Sequence, residues 1–302
     1  MDWNNSTALS ALRSGDLLDL GMLANQIRHN LHPEPVITYE LCGRAASLEE
    51  AAREAMLHDG KSVNLAQVRD IKHNSLDALK TLLVAQRERL SEVTFQHLPV
   101  SIMKDAGENA LAMTEALPGL HAAGLRSISV GFDPAVSLLP HGELTRLLCA
   151  AATCGLLVSV SITIGNAESL EQRMSMLQMV RDVQQISHSI QVVRIRVHHA
   201  VSPEARREEE ATAVDYLKTL AVTRMFLDNV EHLQTDWSVM GPKVLELALR
   251  FGADDAGAIP WSQAGSPEPS HHGGESELRR IIRDAGFRPV QRDALFRQSL
   301  LC

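Results

Sequence analysis

The chain has 302 residues, 45 % hydrophobic and 22 % charged, a makeup that suits a folded globular protein and excludes disorder as its main description. Its 37 acidic residues against 29 lysines and arginines give a net charge of −8, which argues against the basic surface that carries nucleic-acid affinity. No apolar stretch approaches the ~20 residues of a bilayer span, and Met1-Asp2-Trp3-Asn4-Asn5 lacks the pattern of an export signal, so a cytoplasmic location with no membrane and no nucleic-acid partner is expected.

In chain order, residues 1–35 read as a helical lead-in, and β-rich apolar runs then alternate with helical patterns. Strands are expected at 36–41, 62–65, 93–97, 127–130, 157–164, 192–197, 233–237 and 256–259. Between them, helices are expected at 47–57, 75–90 and 169–186, the first and third opened by capping boxes of Ser47 with Glu50 and Ser169 with Gln172. Cys149 and Cys154 lie in a small-residue helical stretch that ends at Gly155, where cysteine packs as a small hydrophobe. Residues 259–274, rich in Pro, Gly and Ser, form a loop before a terminal helix at 276–285. The charged run 204–210 reads as a solvated helix start.

Strands joined through helices are parallel, and eight such units predict an α/β fold, a TIM-like (βα) barrel over 36–259 with the 260–302 loop and helix packed on it. The competing doubly wound sheet lacks its signatures, since neither a Gly-x-Gly-x-x-Gly turn nor a Gly-Lys-Ser/Thr loop is present. Barrels bind ligands at the C-terminal ends of their strands. That rule nominates Asn64 and Gln67 after the second strand, His97 after the third, Asp133 after the fourth and Asn166 after the fifth. It adds His198 after the sixth, Asp236 and Trp237 on the seventh, and Asp254 and Asp255 at the eighth. Arg194 and Arg196 share one face of their strand, and an inward face would let two guanidiniums hold a carboxylate or phosphate. His198 and His199 point to opposite faces, so only one can face the interior, and no metal site is expected.

Three stretches carry a resemblance to a known family. They are residues 17–24 running through His32-Pro33-Glu34-Pro35-Val36-Ile37-Thr38-Tyr39, residues 216–230 continuing into Gln234-Thr235-Asp236-Trp237 and 251–257, and residues 277–287 with Pro289 and Gln291-Arg292-Asp293. Together they resemble the radical SAM enzymes of futalosine-pathway menaquinone biosynthesis: dehypoxanthine futalosine cyclase, aminodeoxyfutalosine synthase and the deazaflavin (FO) synthase group. The resemblance implies a radical SAM type barrel that holds S-adenosylmethionine and a four-iron cluster.

The same resemblance exposes departures. The family carries a CxxxCxxC loop after its first strand, because the cluster takes three thiolates and keeps one iron open for S-adenosylmethionine. Here that loop reads Leu41-Cys42-Gly43-Arg44-Ala45-Ala46-Ser47, with one cysteine, and the other three are Cys149, Cys154 and Cys302. The family's glycine-rich turn after the second strand is replaced by residues 64–70, and its acidic segment after Gly257 by Ala258-Ile259-Pro260-Trp261-Ser262. The expectation is therefore a cluster-less relative, with the four-iron cluster absent and S-adenosylmethionine retained only by family likeness. Such a chain would bind a nucleoside or a ligand like S-adenosylmethionine in the barrel mouth, or act as a partner subunit of a protein from the same pathway. The alternatives are polar catalysis by Asp254, Asp255, Asp236 and His198, or radical chemistry with unusual cluster ligation. An aromatic plug of Trp237, Trp261 or Phe132 would instead leave the mouth without ligand volume.

Overall fold

The computed structural model describes residues 3–42, 45–57, 62–71, 75–91, 93–106, 109–133, 139–165, 168–198, 211–235, 240–260, 274–293 and 295–297. The lead-in forms two helices, α1 (Asn5–Ser14) and α2 (Leu17–Leu31), whose N-termini are capped by the side chains of Asn4 and Asp16. The barrel proper then follows as β1 (Val36–Cys42), α3 (Leu48–Leu57), β2 (Ser62–Asn64), α4 (Leu76–Arg89), β3 (Thr94–Gln96), β4 (Leu98–Pro99), α5 (Val100–Asp105), α6 (Ala110–Ala122) and β5 (Ser127–Phe132). It continues through α7 (His141–Thr153), β6 (Leu157–Ile164), α8 (Leu170–Ser187), β7 (Ile190–Val197), α9 (Ala213–Phe226), β8 (His232–Gln234), α10 (Pro242–Ala248) and β9 (Asp255–Pro260). The C-terminal part supplies α11 (Glu275–Asp284) and β10 (Arg288–Arg292).

All the strand pairings are parallel, as the alternation of strands and helices requires. Hydrogen-bonded order runs β10-β1-β9-β8-β7-β6-β5-β4, with β2 and β3 as a separate pair tied on by a bridge between Phe95 and Leu125. The first barrel strand thus meets the last, β1 against β9, as in a TIM-like barrel, while the other edge of β1 is paired with β10 and not with β2. The third strand is split into β3 and β4 at His97, whose φ of 54° lies in the left-handed region.

The C-terminal segment does more than pack a helix on the barrel. Strand β10 pairs with β1 over residues 288–292, taking the edge of β1 away from β9. Helix α11 buries Leu278, Ile281, Ile282 and nearby Ala285 beside Ile37 and Tyr39 of β1 in a second small core. The main core lies between strands and helices, where Val158, Val160, Ile162 and Ile164 of β6 and Val193, Ile195 and Val197 of β7 point outward. Those residues occupy every second position, so the intervening residues face the lumen.

Cys149 lies on α7 and Cys154 caps it; both are half-buried, and Cys154 packs against the main core as a small hydrophobe. No helix among the described residues is long and apolar enough to cross a membrane. The charged run 204–210, Trp261 and Cys302 lie outside the described residues.

Candidate functional site

A TIM barrel lumen is ordinarily filled by branched apolar side chains. Here, Val192 on β7 apart, the lumen positions are polar: Thr38 and Glu40 on β1, Ser127 and Ser129 on β5, Ser159, Ser161 and Thr163 on β6, Arg194 and Arg196 on β7, Gln234 on β8, Asp255 on β9 and Arg292 on β10. The strand register stacks many of them side by side. Gly131 pairs with Ser161, Ser161 with Arg194, Arg194 with Gln234, Gln234 with Asp255 and Asp255 with Thr38, so one belt crosses six strands.

Hydrogen bonds follow the belt. Arg194 Nε donates to Gln234 Oε1, Gln234 Nε2 donates to Asp255 Oδ1 at 2.5 Å, and Thr38 Oγ1 donates to Asp255 Oδ2 at 2.7 Å. Arg292 reaches in from β10 and grips Asp255 with two donors, Nε to Oδ2 at 2.5 Å and Nη2 to Oδ1 at 2.9 Å. Its Nη1 extends to Glu40 Oε2 at 3.4 Å, and the Gly257 amide adds a fifth donor to Asp255 at 2.8 Å. Gly257 holds φ 85°, the left-handed conformation that turns its amide onto the carboxylate.

Two buried carboxylates therefore share one guanidinium on unequal terms. Burial would raise both; for Asp255 the opposing pull of Arg292, with its hydrogen bonds, wins and the carboxyl sits below its usual value. For Glu40 burial wins over the longer contact with Arg292, and its carboxyl is raised. Burial opposes the charge of Arg292, yet Asp255 and Glu40 hold it protonated more firmly than usual. His97 packs on the other wall, its Nδ1 3.0 Å from Ser159 Oγ and its backbone amide donating to Ser127 Oγ at 2.8 Å. Burial, then the nearby Arg194 and Arg292 charges, push its imidazole down to about 3, so it is neutral.

Exposure rises along the strands toward their C-terminal ends. On β5 it passes from buried Ser127 through half-buried Ser129 to exposed Gly131, and on β7 from buried Val192 through half-buried Arg194 to exposed Arg196. The β5 to β7 wall thus opens where a barrel binds its ligands, with Thr163 beside Arg196 and Ser161 beside Arg194. Arg194 and Arg196 bring guanidinium groups to that wall, and a guanidinium suits a planar anion such as a carboxylate.

The sequence-nominated residues divide. Arg194 faces the lumen and Arg196 its opening, while Asp133 lies half-buried just past β5 and His198 half-buried just past β7. His97 lines the lumen wall below the mouth. Asn64 ends β2, buried, its Oδ1 accepting from the Ala66 amide and capping the single turn Leu65–Gln67, and Gln67 is half-buried in that turn, so both lie at the strand end where they were expected. Asp254 and Asp255 stand at the beginning of β9, the opposite end from the one assumed for them. They also part company: Asp255 turns into the lumen, and Asp254 turns to the floor beneath it. Asn166, Asp236 and Trp237 lie outside the described residues, and Phe132 is half-buried.

Sequence reasoning missed Glu40, Gln234, Arg292, Thr38 and the β6 hydroxyls. The signal for the last was present in Leu157–Ile164, whose alternation of apolar and hydroxyl residues marks a strand with two different faces.

Comparison with known proteins places this geometry in context. The family model described as the CofH/MqnC C-terminal region matches residues 175–300. The cyclic dehypoxanthine futalosine synthase of Halalkalibacterium halodurans is 25 % identical over an alignment covering 94 % of this chain and 88 % of that protein. The enzyme of the same name from Streptomyces coelicolor is 29 % identical, over 60 % of this chain and 49 % of its own length, so that match spans about half of the relative. Among solved structures, methylornithine synthase (PylB) superposes with a TM-score of 0.68 at 12 % identity, covering 98 % of this chain and 96 % of that one, a likeness of fold.

Proposed function

Because this chain is a relative of the futalosine-pathway radical SAM enzymes, we propose that it keeps their barrel as a pocket for a nucleoside-sized, carboxylate-bearing ligand and does without the four-iron cluster. The observation that carries the reading is the polar lumen with Arg194 and Arg196 on its opening side. The relatives' names point to nucleosides of the futalosine class, S-adenosylmethionine comes from the family resemblance, and a paired guanidinium site suits a carboxylate.

The residues present do not fit the cluster. It requires three thiolates converging on one edge of the site, whereas among the described residues only Cys42 lies at a strand end, buried, and Cys149 and Cys154 belong to α7 in the helical layer. No reaction step is therefore routed through it. The chain's own groups bind and orient: Arg194 and Arg196 hold the carboxylate, the hydroxyls of Ser161 and Thr163 offer hydrogen bonds to a sugar or amide, and neutral His97 closes the wall. The role is that of a binding protein, alone or with a partner from the same pathway.

A second reading rests on the unequal carboxylates. Environments that push two pKa values apart assign acid and base roles, and Glu40 raised beside an ionised Asp255 meets that condition for polar catalysis on the same ligand.

Calorimetric titration of the chain with S-adenosylmethionine and futalosine-type nucleosides, alongside reconstitution with iron and sulfide, tests the proposal. Ligand binding weakened in Arg196→Ala, with no stoichiometric visible absorption from a cluster, is the expected pair of results. A stoichiometric cluster band overturns the cluster-less reading, and no binding of any ligand overturns the pocket.

A further inference from the structure

On the floor of the barrel, away from the mouth, three side chains from distant parts of the chain converge. His32 comes from the link between α2 and β1, His232 opens β8, and Asp254 precedes β9. One donor atom of each lies within 4.8 Å of the other two. His232 Nδ1 is 2.6 Å and His32 Nε2 3.5 Å from the same oxygen, Asp254 Oδ2.

That oxygen is aimed by its neighbours. Asp254 Oδ1 accepts from Arg224 Nη2 and from the Leu233 amide, the latter at 2.8 Å, which leaves Oδ2 toward the imidazoles. The rings are held as well: His232 is stacked between His32, with centroids 5.1 Å apart, and Phe296, at 4.0 Å, each pair tilted by 13°. Beside them opens a cavity of about 250 Å³ whose lining includes Glu34, Thr38 and Phe296, with room for solvent as a further ligand.

We propose that His32, His232 and Asp254 form a binding site for one transition-metal dication of the zinc class. Two imidazole nitrogens and one carboxylate oxygen are the donor set that such ions take, with solvent completing the tetrahedron, and they select against magnesium and calcium, which take oxygen ligands. Arg224 and the Leu233 amide supply the outer contacts that orient the carboxylate. The buried Arg224 charge also opposes a second cation, so the site binds less tightly than thiolate-rich zinc sites. The ion ties the α2 to β1 link to the start of β8 and the turn before β9, at the end of the barrel where residues serve stability. The site is separate from the mouth, and its fate does not depend on the pocket proposed there.

The test is titration of the metal-free full chain with Zn²⁺ alone, read by calorimetry and by thermal unfolding, and with Co²⁺, read by its visible ligand-field absorption. One ion per chain, a raised unfolding midpoint and no response to Mg²⁺ are expected. Loss of one ligand in His32→Gln weakens binding by at least ~tenfold, by analogy with the losses seen when even outer contacts of metal sites are removed, and His198→Gln leaves it unchanged. His32 is partly exposed, so its variant folds and decides the matter even if His232→Asn does not fold. Absence of stoichiometric binding, or binding equal in His32→Gln and the parent chain, overturns the proposal.

Discussion

Asp254 and Asp255 are chain neighbours, both buried, both held ionised against the cost of burial by an arginine, yet they serve opposite ends of the barrel. Asp254 belongs to a floor built for rigidity: Arg224 is fully enclosed, its Nε donating to the Gly252 carbonyl at 2.8 Å and its Nη1 to the Glu231 carbonyl at 3.0 Å. Asp255 belongs to a lumen whose far wall opens at exposed Gly131 and Arg196. A buried ion pair is a fixture of the fold or part of a polar lumen according to what lies beyond it, since the pair itself is alike in both.

Four experiments test that contrast. The largest effect is expected on the floor, where Asp254→Ala strands the Arg224 charge and costs ~3–5 kcal/mol of stability in urea unfolding. The double variant Asp254→Ala with Arg224→Met recovers part of that loss; a double variant as unstable as the sum of the singles would deny the coupling. Next comes Gly252→Ala. Gly252 sits at φ 98°, and an added Cβ would lie 2.8 Å from Arg224 Cβ, so a loss of ~1–3 kcal/mol is expected from backbone strain alone, seen as a lowered thermal midpoint.

The third is a pH profile. His97 is depressed from 6.5 to about 3, so it stays neutral in the folded chain while the unfolded chain takes up a proton below 6.5. Stability is therefore full above that value and declines as pH falls from 6.5 toward 3. Asp254 and Asp255, both lowered from 3.8, act only further down: their contribution is present above 3.8 and is lost as pH falls through their folded values. Glu40, raised from 4.5, has the opposite sign and costs stability as pH rises past 4.5. In His97→Asn the slope between 6.5 and 4.5 flattens; an unchanged slope in pH-dependent unfolding would mean that His97 is not the group responsible.

The smallest effect on folding belongs to the mouth. Arg196 is exposed, so Arg196→Ala shifts stability by no more than ~0.5 kcal/mol, while loss of a charge-assisted contact of ~1.5 kcal/mol weakens carboxylate binding about tenfold by calorimetry. Equal losses of stability and affinity would erase the distinction between floor and mouth.

Much of the fold is legible in the sequence. Leu157–Ile164 was delimited to the residue, because its alternation is strict and its flanks are Gly155 and Gly165. The capping box of Ser169 with Gln172 formed as written, since a cap depends on residues three apart. Strand β10 was missed because Arg288-Pro289-Val290-Gln291-Arg292 has the composition of a loop, and only pairing with β1, some 250 positions earlier, makes it a strand. Its Arg292 could not be connected to Asp255 for the same reason. Glu40 was hidden inside an apolar run, where one charged residue reads as an interruption of the strand and not as a lumen position.

The order of strands and helices, the parallel sheet, the barrel and the family likeness follow from local periodicity and short motifs, which lie within a few residues of one another along the chain. Which way Asp254 and Asp255 turn, that Arg292 spans two carboxylates, and that His32 meets His232 follow from register between strands far apart in sequence. Register is set by how whole faces pack, and that is a property of the assembled barrel.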